Sequence, residues 1–328
     1  MIEASGLSKR YGATLAVNDL SFSVQPGRVT GFLGPNGAGK STTMRIMLGL
    51  DRPTAGDVRI GGKRYTDLTQ PLHTVGALLD AKWMHPNRSA RAHLRWLARS
   101  NKLATSRVDE VLDLVGLTEV ASKRVGGYSL GMSQRLGIAA ALLGDPEVLL
   151  FDEPVNGLDP EGIAWIRSFM QSLAAQGRTV FVSSHLLSEM AITATELVVI
   201  GRGRLITQCS TAEFVEHATA ATVRVRSPQA DRLRTMLTSH GRTVTETDGG
   251  LVVGGATSQE IGELAAMLGI VLHELAPQRG SLEQAFMQMT GEDVEFHGTI
   301  AAAAPIREAE QLEVAMAATQ TGQGGSQS

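Results

Sequence analysis

The 328-residue sequence has little cysteine, few aromatic residues and no long apolar run. Its single cysteine, Cys209, cannot form an internal disulfide, and no cysteine cluster offers a zinc site, so a reducing compartment fits the chain. The amino terminus has no apolar signal-peptide core, and no stretch reaches the ~18 uninterrupted apolar residues that a membrane helix needs. These absences predict a cytosolic chain, which is still free to dock on a membrane protein.

Neither sign of charge dominates the composition. Thirty Lys and Arg residues stand against 33 Asp and Glu residues, a formal net charge of −3, so no global charge indicates a nucleic-acid or anionic-membrane partner. The sequence is 43% hydrophobic and 19% charged. Such a chain can bury a substantial core, which excludes wholesale disorder and collagen-like repeats. At roughly 100–200 residues per domain, the length predicts one large domain with at most a small second one.

Short aliphatic runs alternate with helical patterns as far as about residue 210. This alternation is typical of an α/β domain whose sheet is largely buried. Strands are predicted near Arg28–Leu33, Thr74–Leu79, Glu147–Phe151, Thr179–Ser183 and Leu197–Ile200, and helices near Lys40–Leu50, Ala90–Ser100, Ser106–Val115, Leu130–Leu143 and Pro160–Ala175.

The pattern restarts on a smaller scale around Thr219 and predicts a compact α+β module without a motif of recognisable chemistry. An ordering or dimer-stabilising role and a ligand-sensing role are both open for it. From Ala301 the Ala-, Gln-, Gly- and Ser-rich composition predicts a disordered tail, with a frayed helix at Ile306–Met316. The predicted domains are therefore 1–215, 216–295 and a tail over 296–328. Within the module we expect strands around 223–225, 251–253 and 271–275, and helices around 233–237, 258–268 and 281–289.

The segment Gly34–Ser41 matches the phosphate-loop pattern G-x-x-x-x-G-K-[ST] between an apolar strand and a helix that opens at Lys40. Glycines let backbone N–H groups point inward, and the helix amino terminus adds its positive dipole end. Lys40 supplies a mobile cation and Ser41 a hydroxyl for Mg²⁺. A Gly-rich turn that only caps a helix is the alternative, which the full match and its flanks disfavour.

A second motif, Asp152-Glu153, follows the apolar run Val148–Phe151. Because neighbouring strand residues point to opposite sides, Asp152 can serve the Mg²⁺ shell while Glu153 serves a water at the γ-phosphate. A solvated acidic strand end is the alternative reading.

A third motif, Ser129-Leu130-Gly131-Met132-Ser133-Gln134, opens an apolar-striped helix. Ser129 is a good N-cap, and Gly131 permits close backbone approach. Alone this describes a well-capped core helix. Beside a phosphate loop, it could hold the opposite side of a γ-phosphate if two copies of the domain face each other.

These motifs occur in an order that resembles the ATP-binding subunit of an ABC transporter. The resemblance covers about residues 1–215 and includes the Asn156–Asp159 loop and Ser183-Ser184-His185. The Ser-Leu-Gly-Met form with a C-terminal module is similar to the drug- and antibiotic-exporter branch, of the daunorubicin and bacitracin resistance type. The implied fold is a P-loop ABC ATPase domain, with a mixed sheet core and a helical subdomain, followed by a small α+β domain.

The resemblance also implies roles for individual residues. Tyr11 would stack on adenine, His185 would contact the γ-phosphate as the switch, and Glu153 would be catalytic. Where the family has a Gln that reaches Mg²⁺, this chain has Asp80, which would coordinate Mg²⁺ through a water, beside Ser41 and Asp152. Signature and dimer contacts would come from Ser129, Gly131 and Asp159. The implied nucleotide-binding residues are Tyr11, Gly34, Pro35, Asn36, Gly37, Ala38, Gly39, Lys40, Ser41 and Thr42.

The resemblance implies an ATPase that drives an exporter from the cytoplasmic face of the membrane. Two copies, or one copy and a related ATPase, would close around two Mg-ATP and drive a separately encoded ABC-2-type permease, with no nucleic-acid partner. Two rivals are a non-transport ABC protein acting on ribosomes or DNA and a small-molecule P-loop kinase. The single cassette disfavours the first, and the signature-like helix disfavours the second. Trp83 and Trp96 are expected to pack helices or to line the surface that meets the membrane subunit.

Overall fold

The structure is a computed structural model that describes residues 1–81, 83–218, 222–247 and 250–278. Strands and helices alternate through most of these ranges. The strands are β1 (Ile2–Tyr11), β2 (Thr14–Val24), β3 (Val29–Leu33), β4 (Ala55–Ile60), β5 (Val75–Leu78), β6 (Val148–Asp152), β7 (Thr179–Ser184), β8 (Glu196–Gly201), β9 (Arg204–Ser210), β10 (Thr222–Arg226), β11 (Thr243–Thr247), β12 (Gly250–Gly254) and β13 (Glu274–Gln278). The helices are α1 (Lys40–Met47), α2 (Pro71–Thr74), α3 (Ala90–Ser100), α4 (Arg107–Leu114), α5 (Leu130–Leu142), α6 (Pro160–Ala175), α7 (Leu187–Thr193), α8 (Thr211–Ala218), α9 (Ala230–Ser239) and α10 (Ser258–Met267). None of the helices in this part of the chain is long and apolar enough to cross a membrane.

A six-stranded sheet in the order β5-β6-β7-β3-β8-β9 is built from strands between residues 29 and 210. Every pair in it is parallel except the terminal β8–β9 hairpin. All residues of β3 and β7 are buried, and the apolar segments within them, such as Val180–Val182, fit strands that are covered on both faces. Leu33 pairs with Ser184 and Asp152 with Ser183, so the loops after β3, β6 and β7 leave the same edge of the sheet.

A second, antiparallel sheet has the order β2-β1-β4. Phe22 of this sheet stacks on Phe32 and Phe181 of the central sheet, with ring centroids 5.5 and 5.7 Å apart. The sequence analysis predicted no strand before Arg28. Register shifts along β1 interrupt its pairing with β2 and β4, and such bulges break the two-residue alternation by which a half-buried strand is recognised.

Helices α3, α4 and α5 pack together as a helical layer. Their shared core includes Leu94, Val111, Leu112 and Leu136, each with essentially no exposed surface. Each helix predicted between Lys40 and Ala175 agrees with an observed helix to within three residues at either end. The mixed sheet core and the helical layer are the fold that the resemblance implied.

Within 222–247 and 250–278, a separate antiparallel sheet has the order β11-β12-β10-β13, and its core includes Val223, Leu233, Leu251 and Ile261. The strand predicted at 271–275 instead runs over Glu274–Gln278. The error arose because the apolar run begins at Val271, a residue that is 54% exposed and precedes the strand. Strand β11, which was not predicted, is largely exposed and polar. The predicted helix over 281–289 and the predicted tail lie outside the described residues.

Candidate nucleotide site

The predicted phosphate loop connects β3 to α1 and has a backbone that only glycine can adopt at its end. Gly39 is the N-cap of α1 with φ +101°, and a Cβ there would lie 2.5 Å from the Ala16 carbonyl oxygen. A Cβ at Gly34 would lie 2.7 Å from the Ile200 carbonyl oxygen. No acidic residue occupies the first turn of α1, so its backbone N–H groups present positive potential to an anion. The cavity at the loop measures about 250 Å³ and is lined by Ala16, Pro35, Asn36, Gly37, Ala38, Gly39, Lys40, Ser41, Thr42 and Glu153.

Lys40 is held inside this cavity and is only 6% exposed. Its Nζ donates to the carbonyl oxygens of Gly34 at 2.7 Å and Pro35 at 3.3 Å, and lies 3.4 Å from Glu153 Oε1. Burial lowers the pKa of Lys40 below its usual value, against the raising effect of Glu153 and then of Asp152. The ammonium is thus positioned where an incoming phosphate would compete with a carboxylate.

The two acidic residues at the end of β6 diverge because the backbone changes hand between them. Asp152 is the last strand residue, whereas Glu153 has φ +48°, in the left-handed region. This conformation costs a non-glycine residue about 1–3 kcal/mol. Ser183, at the neighbouring strand end, stabilises the turn: its Oγ donates to Asp152 Oδ1 and accepts the Glu153 N–H at 3.0 Å. The sequence analysis named Ser183 only within the Ser183-Ser184-His185 motif and gave it no role of its own, because its contact with Asp152 depends on the register between β6 and β7.

Glu153 also contacts His185. Its Oε2 lies 2.9 Å from His185 Nδ1, while its Oε1 faces Lys40. His185 follows β7, and the next turn is fixed by the Leu186 N–H, which donates to Ser184 Oγ at 3.0 Å. The structure therefore brings Lys40, Glu153 and His185 together, because the segments that follow β3, β6 and β7 leave the same edge of the sheet.

Tyr11 and Asp80 lie at the borders of this region. Tyr11 ends β1, is 46% exposed, and donates its hydroxyl to Asp51 Oδ2 at 2.8 Å. Burial and the Asp51 contact raise the pKa of the Tyr11 phenol, against the lowering effects of Arg45 and then of the Thr42 hydroxyl in the first turn of α1. Asp80 is exposed and follows β5, whose Leu78 pairs with Phe151 of β6, so it leaves the same sheet edge.

The signature-like residues border a different cavity, of about 220 Å³. Ser129 caps α5, its Oγ accepting the Met132 N–H at 3.2 Å. Asp159 caps α6, its Oδ1 accepting the Gly162 N–H at 2.9 Å. The lining residues of this cavity are Ser129, Gly131, Met132, Arg135, Leu158, Asp159, Glu161, Gly162, Trp165 and Ile166. No residue is common to the two cavities in the described part of the chain.

The family model described as ABC transporter matches residues 17–156, and a model described as a domain of unknown function matches residues 221–283. Among solved structures, an ATP-binding subunit of an ABC transporter is similar with a TM-score of 0.60 and 26% identity, over 66% of this chain and 92% of that chain. The cassette MJ0796, solved as a dimer, has a TM-score of 0.59 over 64% of this chain and 99% of its own, and at 24% identity it supports the fold alone.

Two relatives match nearly the whole chain. YhcH of Bacillus subtilis, an uncharacterized ABC transporter ATP-binding protein, is 37% identical over 90% of this chain and 97% of its own length. BcrA of Enterococcus faecalis, a bacitracin transport ATP-binding protein, is 35% identical over 89% of this chain and 96% of its own. These similarities confirm the resemblance to the antibiotic-exporter branch. The chain belongs to the ABC transporter family as an ATP-binding subunit with ATPase activity.

Proposed function

We propose that this ATPase drives export through a separate membrane permease, with two copies closing head-to-tail around two Mg-ATP. The observation that carries the proposal is that the phosphate loop and the signature-like residues line two cavities with no residue in common. One cavity holds the phosphate loop with Lys40 and Glu153, and His185 contacts Glu153. The other presents the Ser129 hydroxyl at the amino terminus of a 13-residue helix, where a γ-phosphate from a second copy would find a hydrogen-bond donor and a positive dipole end.

The phosphate-loop half of the site supplies the hydrolytic chemistry. The phosphates of ATP compete with Glu153 for Lys40, which neutralises their charge. Glu153, released from Lys40 but still beside His185, orients a water and accepts its proton as the water oxygen attacks the γ-phosphorus. The bond to the β-phosphate oxygen breaks, and ADP and phosphate leave. His185 contacts the transferred phosphoryl group, so the position of the segment after β7 depends on whether that group is bound.

The donor set fits Mg²⁺, because Ser41 and Asp152 both offer oxygen ligands, the type that this ion prefers. Asp152 is oriented by the Ser183 hydroxyl, and Asp80 leaves the same sheet edge as a further oxygen donor. Bound with the nucleotide, Mg²⁺ would offset negative charge on the phosphate oxygens.

We place the permease contact beside Trp83, in the segment before α3, and Trp96 of α3. These side chains are 49% and 50% exposed, and half-exposed aromatics are enriched at protein interfaces. They lie against the buried His93 ring, with centroid distances of 5.0 and 6.0 Å. A nearby cavity of about 260 Å³, lined by residues such as Ala81, Met84 and Tyr128, gives an ABC-2-type permease segment a pocket to enter. The chain would then work at the cytoplasmic face of the membrane.

The exported compound is of the antibiotic or lipid-like class. BcrA is a bacitracin transport protein, SrtF of Streptococcus pyogenes is a lantibiotic transport protein, and a Burkholderia lata relative is a Nod factor export protein. We also propose the division into an ATPase domain over 1–215, an accessory domain over 216–295 and a tail over 296–328. The four-stranded sheet with its own core supports the second of these.

Disulfide crosslinking tests the dimer. In a Cys209→Ala background, Asn36→Cys and Ser129→Cys place one thiol in each cavity, and Glu153→Gln slows ATP turnover. With ATP we expect a crosslinked dimer on a non-reducing gel. Neither single-cysteine variant nor the nucleotide-free protein should give that dimer. Absence of the crosslink in the ATP-loaded protein would contradict the head-to-tail arrangement.

A further inference from the structure

We infer that Asp51, held by Arg45, is a positioning residue that fixes the Tyr11 ring for an adenine base and so adds affinity for the nucleoside end of ATP. The inference rests on the proposed function, because it takes Tyr11 as the base platform. Asp51 and Arg45 would orient this platform, so the affinity for the base would depend on residues that do not contact the phosphates.

Two donors converge on one carboxylate oxygen of Asp51. Tyr11 Oη donates to Oδ2 at 2.8 Å, and Arg45 Nε donates to the same atom at 2.7 Å. These two hydrogen bonds, with that from Arg45 the stronger influence, hold the pKa of Asp51 below its usual value. The carboxylate therefore stays ionised and keeps the phenol hydroxyl at a defined point at neutral pH.

A cation covers one face of the Tyr11 ring. Lys9 Nζ lies 4.7 Å from the ring centroid, and it is itself anchored by donating to the Arg52 carbonyl oxygen at 2.7 Å. A base that stacks on Tyr11 would use the opposite face. The ring is thus restrained at its hydroxyl by Asp51 and on one face by Lys9 before any base arrives.

The restraint is tied to the helix that begins at the phosphate loop. Arg45 lies in the last turn of α1, and the Leu50 N–H donates to the Arg45 carbonyl oxygen at 2.9 Å in the turn that leads to Asp51. The first turn of the same helix contains Lys40, Ser41 and Thr42. Helix α1, about 12 Å long, therefore links the groups that hold the Tyr11 ring to the residues of the phosphate loop.

The contributions of the base and of the phosphates to ATP affinity can be measured separately, because inorganic tripolyphosphate has the phosphates of ATP without the base. We would measure by calorimetry the Kd of the full chain for Mg-ATP and for Mg-tripolyphosphate. Ordering one side chain on binding costs a factor of about 2 to 10 in affinity. Asp51→Ala should therefore weaken ATP binding about 2- to 10-fold and leave tripolyphosphate binding unchanged, and adding it to Tyr11→Ala should have no further effect.

The chain offers a matched control in Asp57, which accepts from Arg59 at 2.9 Å and from Arg64 at 2.7 Å without contacting Tyr11. Asp57→Ala should leave both affinities unchanged. Equal losses for ATP and tripolyphosphate in Asp51→Ala, or no loss for either, would overturn the positioning role. If Tyr11→Ala itself binds ATP normally, the base platform fails, and the proposal fails with it. Unchanged tripolyphosphate binding in each variant also shows that the protein is folded.

Discussion

At the residue scale, Glu153 combines a strained backbone with two charged or titratable neighbours. Its left-handed φ turns the carboxylate away from the side of Asp152 and towards Lys40 and His185. Strained residues cluster at functional sites because the surrounding structure must hold them there. Sequence alternation alone predicted that the two acids would separate. The Ser183 hydrogen bonds that hold them were not accessible from the sequence, because they depend on a register between two strands.

We expect Glu153→Gln to retain ATP binding and to lower kcat about 10²- to 10⁴-fold, the usual contribution of a positioned general base. The amide keeps the shape of the side chain but cannot accept the proton. Steady-state phosphate release and the Kd for ATP are the measurements. Glu119→Gln, at an exposed position in the short turn after α4, should leave both unchanged. An unaltered kcat in Glu153→Gln would remove this residue from the reaction.

His93 predicts a pH dependence of stability. It is only 2% exposed, and neither ring nitrogen has a hydrogen-bond partner among the described residues. Burial, and secondarily Arg88, lowers the pKa of His93 to about 4. In the unfolded chain His93 takes up a proton near pH 6.5, whereas in the folded chain it does so only near pH 4. Its contribution to the free energy of unfolding is therefore fully present above pH 6.5 and is lost as the pH falls towards 4.

Replacing this imidazole should remove that dependence. Between pH 7.5 and 5, the free energy of unfolding of the wild type should fall about 2 kcal/mol more than that of His93→Phe. Urea unfolding at the two pH values measures the difference. His273→Gln, at an exposed position, should behave as the wild type. Parallel losses in His93→Phe and the wild type would contradict the assignment.

At the element scale, the phosphate loop and the parallel strands around it could be predicted, whereas the antiparallel β2-β1-β4 sheet could not. The G-x-x-x-x-G-K-[ST] spacing fixes a local backbone, and buried parallel strands have recognisable apolar runs. The β1–β2–β4 sheet has interrupted pairing. Asp51 was missed because its partner Tyr11 is 40 residues away, and a contact between distant residues leaves no local pattern.

Gly39 and Gly177 both have positive φ, but only Gly39 lies in the phosphate loop. Comparing their alanine variants therefore distinguishes an effect on the loop from an effect of backbone strain. Gly39 has φ +101° and faces the Ala16 carbonyl oxygen, whereas Gly177 has φ +89° and nothing within 4 Å of the position of a Cβ. Both alanine substitutions are strained by roughly 1–2 kcal/mol. Only Gly39→Ala must also displace the phosphate loop. We expect it to weaken ATP binding more than tenfold, with ATP affinity unchanged in Gly177→Ala. Titration of both variants with ATP and urea unfolding give the comparison, and equal affinities would show that the loop tolerates the displacement.

At the scale of the whole molecule, the division of groups between two cavities makes a prediction about mixtures of variants. Lys40→Ala disables the phosphate-loop half, and Ser129→Arg blocks the signature half with a bulky cation. Each pure variant dimer would then contain two defective sites, because every site takes one half from each copy. Both pure proteins should therefore have almost no ATPase activity.

A mixed dimer behaves differently under a two-fold arrangement in which each copy completes the site of the other. One of its sites joins the two defective halves, and the other joins the intact Lys40 half of one copy to the intact Ser129 half of its partner. Random exchange makes half of the dimers mixed, so an equimolar mixture should recover up to about a quarter of the wild-type rate if the two sites act independently. If each chain instead completed its own site, mixing could restore nothing. Phosphate release after mixing the two purified variants, against each alone at the same total concentration, decides between one nucleotide site per chain and two sites shared between chains.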